Sequence, residues 1–179
     1  VKKTANRKKP GNGYLFWITG LSGSGKTSLA KKIKRDIENL YGPTIVISGD
    51  DVRRIFNFKG YSLKDRSKLV MKYCRLALFL TRQNINVIFA VVGLFNKARS
   101  WNRNKIKNYC EIYLKTDLKK LTRRKDKIFY SSSKTEVVGI NIKAEFPKFP
   151  HITIKNNFKE NINSLSKKLV KSILLKCPI

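Results

Sequence analysis

Residues 20–27 read Gly-Leu-Ser-Gly-Ser-Gly-Lys-Thr and fill every position of the pattern G-x-x-x-x-G-K-[ST]. Glycines at Gly20, Gly23 and Gly25 let the backbone curl so that successive N–H groups, through Leu21, Ser22 and Ser24, point inward at phosphate oxygens. A helix starting at Lys26 adds the partial positive charge of its N-terminus. In such a cradle Lys26 reaches the β and γ phosphates of ATP, the Thr27 hydroxyl ligates Mg²⁺, and Ser28 completes the phosphate-binding run. A second chemical stretch is Ser48-Gly49-Asp50-Asp51-Val52-Arg53-Arg54. A carboxylate at Asp50 can ligate Mg²⁺ through water or accept the proton of an attacking hydroxyl, and Arg53 can hold an anionic group with bidentate bonds. An Asp pair also caps helices, and that use of Asp50 and Asp51 stays open.

These residues need elements to position them. YLFWITG (14–20) is a short apolar strand running into the glycine loop, and residues 26–40 carry Leu29, Ile33, Ile37 and Leu40 at helical spacing. TIVISGD (44–50) is a second buried strand that ends in acid. Residues 65–83 form another helix with Val70, Tyr73, Cys74, Ala77, Leu78 and Leu80 on its buried side, and NVIFAVV (86–92) is too continuously apolar to be half-exposed. KNYCEIYLK (107–115) and HITIKN (151–156) make further strands, and a helix over 160–175 closes the chain. Strands alternating with helices predict an α/β fold, a parallel sheet with helices on both faces. In that arrangement the strands deliver their carboxyl ends, and therefore Asp50, to the edge that holds the phosphate loop. Residues 126–150 fit neither period and read as a mobile lid.

A chain of 179 residues with 41% apolar content suits one domain, here 14–179, preceded by a flexible basic arm over 1–13. No apolar run reaches the roughly 18 residues of a membrane helix, so no membrane partner is expected. The cysteines Cys74, Cys110 and Cys177 share no metal or redox spacing, and an odd count suits a reducing cytosol; the expected location is cytoplasmic. The 40 Lys and Arg against 11 Asp and Glu give a net charge of +29, which could serve a polyanionic partner. Lys, Asn and Ile are abundant together, however, as AT-rich coding bias produces, and the basic residues are spread evenly. Nucleic acid is therefore not the expected partner. His151, the only histidine, reads as a strand-start residue and not as a base.

The order GLSGSGKT, ISGDDVRR, GYSLKDR, VIFAVV, EIYLKTDL…RR and VGINIKAEFP resembles the adenylylsulfate kinases, from about Phe16 to Asn156. The resemblance implies a P-loop kinase-like three-layer fold. It also implies transfer of the γ-phosphate of ATP to the 3′-hydroxyl of adenosine 5′-phosphosulfate with Mg²⁺, the acceptor being a small-molecule nucleotide. Carried over by position, Asp50 is the acid beside the transferred phosphate and, with Thr27, a metal-side residue. Arg53 and Arg66 hold the acceptor's phosphosulfate, Tyr61 stacks on its base, Arg124 lies on the ATP base side, and Gly139, Ile140, Glu145 and Pro147 are surviving lid positions. Relatives of this fold commonly dimerise, so a homodimer stays open.

The departures fall on the acceptor side. Leu69 replaces an Asn. The family's ISPYR block reads Val92-Gly93-Leu94-Phe95-Asn96, and the lid is shorter. The stretch GLFNKARSWNRNKIKNYCEIYLK resembles kinases of bacterial capsule clusters that phosphorylate cytidine diphosphoramidate, with Phe95 and Asn96 in the acceptor segment. Phosphosulfate leads as the acceptor, and the phosphoramidate is the alternative. Two further classes stay open: a nucleic-acid-binding ATPase and a non-catalytic nucleotide binder.

Overall fold

Strand β1 (Leu15–Thr19) is buried at every position, as a central strand covered on both faces must be. A computed structural model describes residues 11–122, 138–140 and 142–178 of the chain. Along the sequence β1 is followed by α1 (Lys26–Tyr41), β2 (Thr44–Ser48), α2 (Gly49–Ile55) and α3 (Leu63–Thr81). Next come β3 (Asn86–Val91), α4 (Asn96–Lys105), β4 (Tyr109–Lys115), α5 (Leu118–Thr122), β5 (Ile152–Lys155) and α6 (Ile162–Lys176). The sheet runs β2-β3-β1-β4-β5 with every pair parallel. Thr19, the last residue of β1, stands level with Val91 of β3 and Tyr113 of β4. The α/β fold with helices on both faces is therefore observed.

The period of two along each strand sorts the core into two layers. On one side Phe16, Ile18, Ile88, Ile112 and Ile154 pack with Ile33 of α1 and Leu169 of α6. On the other Leu15, Trp17, Val87 and Phe89 pack with Val70 and Tyr73 of α3 and Ala98 of α4. A third cluster of Leu21, Leu94, Tyr113, Leu121, Val138 and Ile142 closes the sheet's carboxyl end.

The structure departs from the sequence reading in several places. The strand expected over 44–50 stops at Ser48, because Gly49 and Asp50 already open α2. Helix α4 is unread by apolar spacing because two of its buried residues, Arg99 and Asn102, are polar. Cys110 and Cys177 are joined by a disulfide with their Cα atoms 6.4 Å apart, where unpaired cysteines were expected; a spacing of 67 residues carries no signal of it. Of the basic arm, residues 1–10 lie outside the described residues, whereas Gly13 is buried and donates to the Thr81 carbonyl. Much of the expected lid, 126–137 and 141, also lies outside them.

Candidate active site

The phosphate loop joins the buried end of β1 to α1, and its geometry follows from its glycines. Gly25 sits at the N-cap of α1 with φ 95°, a left-handed backbone that a side chain would strain. The first-turn amides of α1 therefore face outward from the sheet edge, where an anion would meet them. Lys26 is 8% exposed and lies back over the loop, its Nζ donating to the Leu21 carbonyl at 2.7 Å. Ser24 is fully buried, and its carbonyl accepts from Asn156 Nδ2 at 2.9 Å. Thr19 Oγ1 donates to the Val92 carbonyl, which fastens the end of β1 to the chain leaving β3.

Helix α2 starts one residue after β2 and separates the two aspartates. Ser48 caps the helix: its Oγ accepts from Asp51 N at 3.1 Å and donates to Asp51 Oδ2 at 2.6 Å, while Asp51 Oδ1 pairs with Arg54 at 2.6 Å. The cap is Ser48 and neither aspartate; Asp51 is the residue that Ser48 caps, and its carboxylate is occupied by Ser48 and Arg54. Asp50 is left exposed at the cavity wall, in the first turn of α2.

One cavity of about 970 Å³ collects these groups. Ser22, Gly23, Gly25, Lys26, Thr27 and Ser28 line its floor, and Asp50, Arg53, Tyr61 and Arg66 line one flank. Leu69, Val70 and Tyr73 of α3 continue that flank, and Gly93 and Phe95 form the edge beside it. Tyr73 donates to the Gly49 carbonyl at 3.0 Å, and burial pushes its hydroxyl up to about 12. The opposite flank is built by Asn156, Phe158, Ile162 and Leu165 with Val138, a wall that sequence reading did not assign to the site. Its only sequence signal is position, in the loop after the last strand on the edge where parallel strands gather their ligands.

The two acceptor-side arginines are held by the loop they share. Arg53 Nη1 donates to the carbonyls of Phe58 and Gly60 at 3.2 and 2.8 Å, and Arg66 Nε donates to the Tyr61 carbonyl at 2.8 Å. Both guanidiniums lie over the Tyr61 ring, at 4.3 and 5.2 Å from its centroid. Tyr61, read from sequence as a stacking partner for a base, thus stacks on its own arginines here. Gly20, Leu21 and Ser24 lie behind the cavity floor, and Asn96, Gly139 and Ile140 stand away from the lining. The Asn96 side chain turns to Arg99, and Ile140 is 47% exposed. Arg124 lies outside the described residues. His151 accepts from Glu111 N through Nδ1, away from the cavity, as a strand-start residue would.

Thr27 and Asp50 offer a hydroxyl and a carboxylate to the same space, hard oxygen donors of the kind Mg²⁺ takes when phosphates supply much of its shell. No cluster of three or more His, Cys, Asp or Glu able to hold a metal exists among the described residues. No helix there is long and apolar enough to cross a membrane.

Comparison with known proteins agrees with this arrangement. A cytidine diphosphoramidate kinase of Campylobacter jejuni is 32% identical over 165 residues, covering 88% of this chain and 97% of the relative. An adenylyl-sulfate kinase of Synechococcus is 29% identical over 148 residues, 80% of this chain and 84% of that one. The APS kinase CysC of Mycobacterium tuberculosis, solved in complex with AMPPNP and APS, superposes with a TM-score of 0.79 at 24% identity over 92% of this chain and 99% of its own. The Adenylylsulphate kinase family model matches residues 12–155, and the chain belongs to that family of nucleotide kinases.

Proposed function

We propose that this chain transfers the γ-phosphate of ATP to a hydroxyl of cytidine diphosphoramidate, with Mg²⁺. The observation that carries the kinase reading is the cavity that the phosphate loop and Asp50 line together. What favours the phosphoramidate is the acceptor edge. Gly93 and Phe95 line the cavity in a segment unlike the sulfate-type block, and the capsule-type likeness of 93–115 agrees with the 32% identity to the C. jejuni enzyme.

In this reading the loop amides and Lys26 hold the triphosphate, and Lys26 leaves the Leu21 carbonyl to do so. Asp50 accepts the proton of the attacking hydroxyl as its oxygen bonds to the γ-phosphorus and the bond to the ADP oxygen breaks. Thr27, with Asp50 through water, would hold Mg²⁺, which neutralises charge on the β and γ phosphate oxygens. Arg53 and Arg66 hold the acceptor's anionic group by exchanging their loop carbonyls for it. The flank of Asn156, Phe158 and Ile162 receives the base of ATP.

Adenosine 5′-phosphosulfate is the second reading. It is supported by the family-model match over 12–155 and by adenylyl-sulfate kinase relatives such as that of Synechococcus. Both acceptors are assayed side by side, following ADP release with ATP and Mg²⁺. Turnover on the phosphoramidate alone supports the proposal, and turnover on the phosphosulfate alone replaces it with the second reading. ATP bound tightly with neither acceptor turned over rejects both.

A further inference from the structure

The acceptor edge of the cavity is itself held from behind by an arginine that does not line the cavity. Arg99 of α4 is 4% exposed, and its guanidinium serves four partners. Nη1 donates to the Gly93 carbonyl at 3.3 Å, Nη2 to the Asn96 Oδ1 and to the Glu145 carbonyl at 2.6 Å, and Nε pairs with Glu111 Oε1 at 3.4 Å. Glu111 lies in the middle of β4, is 1% exposed, and accepts a second arginine, Arg103, at 2.8 Å. Glu145 closes the arrangement: its N donates to the Leu94 carbonyl at 3.0 Å and its Oε2 accepts from Asn96 N. The backbone from Gly93 to Asn96 is therefore pinned by groups from β4, α4 and Glu145, a position within the expected lid.

Gly93 needs that support. Its φ is 43°, and the space where a Cβ would stand is filled by Val91 Cγ1 at 2.9 Å and by the Trp17 ring at 3.2 Å. The loop runs flat over Trp17, so its height comes from below and its direction from Arg99.

We infer that Arg99, seated on Glu111, is the positioning residue for the acceptor side of this cavity. It sets where Gly93 and Phe95 stand without touching either substrate. Because it also grips the Glu145 carbonyl, the placement of the acceptor wall is coupled to the chain at Glu145. The inference rests on the reading of that wall as the acceptor side. It assigns acceptor affinity, as distinct from ATP affinity, to an ion pair that the cavity does not contain.

The test uses Arg99→Lys, which keeps a positive charge near Glu111 but loses the fork that reaches several partners. Asn96→Ala is the second variant, because it removes an exposed side chain whose Oδ1 accepts from Arg99 and which does not line the cavity. Amide hydrogen exchange over 92–97 is expected to quicken by about fivefold or more in Arg99→Lys, while that over 20–28 holds steady. The acceptor KM rises by about tenfold and the ATP KM stays within about twofold, since each lost hydrogen bond to a charged donor is worth several-fold in binding. Asn96→Ala gives the same pattern at about threefold, and it decides the matter if Arg99→Lys does not fold. Unchanged exchange over 92–97 in a folded variant overturns the inference, and so does a parallel rise of both KM values. If the wild-type chain turns over neither acceptor, the proposed function fails, and the exchange pattern alone still decides the role of Arg99.

Discussion

Asn156 Nδ2 donates to the Ser24 carbonyl at 2.9 Å, so the exit of β5 is fastened to the phosphate loop across 132 positions of sequence. The same side chain accepts from Phe158 N through Oδ1 at 3.0 Å and lines the cavity. One amide thus sets both the loop that receives phosphates and the turn beside it. Asn156→Ala should raise the ATP KM by about fivefold and lower stability by about 1 kcal/mol, with the acceptor KM little changed. Initial-rate kinetics with each substrate varied in turn, plus a thermal melt, check this. An ATP KM equal to wild type would remove Asn156 from the loop's support.

Lys26→Ala should lower turnover by on the order of 10³-fold, because one positioned donor to developing charge is worth about that much. The melting temperature should stay close to wild type, since the Leu21 carbonyl that Lys26 donates to lies within the same loop. A variant that turns over at the normal rate would mean that the loop is not the phosphate site.

Gly93→Ala should destabilise the fold by about 1–3 kcal/mol, because its φ of 43° and the Trp17 ring 3.2 Å away both oppose a Cβ. Urea unfolding reads the change directly. Loss of acceptor turnover should accompany it, as the wall lifts away from Trp17.

Burial holds the Tyr73 hydroxyl up to about 12 from 10.0, and the Cys74 thiol to about 12 from 9.0. The unfolded chain releases these protons near the ordinary values, while the folded chain keeps them to about 12. The folded state therefore binds more protons in that interval, and stability that is complete below about pH 9 falls as pH rises toward 12. Tyr73→Phe should flatten the fall between pH 10 and 12, measured by denaturation midpoints at several pH values. Identical slopes for the two proteins would count against a buried, neutral Tyr73.

The disulfide between Cys110 and Cys177 closes a loop with a sequence separation of 67, so removing it should cost up to about 4 kcal/mol through the unfolded chain. Melting with and without reductant, and of the double Cys→Ser variant, measures that cost. A melt indifferent to reductant would show that the bridge adds nothing.

Much of this was legible in advance because the sheet is parallel and buried. Strands such as Val87–Val91 have to be apolar throughout, and the phosphate loop is a local pattern whose spacing is its mechanism. What stayed hidden is held together by polarity inside the protein. Arg99, Asn102 and Glu111 are all under 5% exposed, yet in a chain with 40 Lys and Arg they read as surface. Asn156 was invisible for another reason: its partner is a backbone carbonyl, which leaves no trace in residue type. The aspartate pair could be divided only by seeing that Ser48 caps the helix and engages Asp51, which leaves Asp50 to the cavity.

The strand order gives the two flanks separate supports within one molecule. Arg53, Tyr61 and Arg66 hang from the β2 side of β1, and Asn156 and Phe158 from the β5 side, with the phosphate loop at the seam. A substitution on one flank does not have to pass through the other to be accommodated. Selection can retune one wall while the other keeps its donor, as two tenants alter their rooms without moving the wall they share.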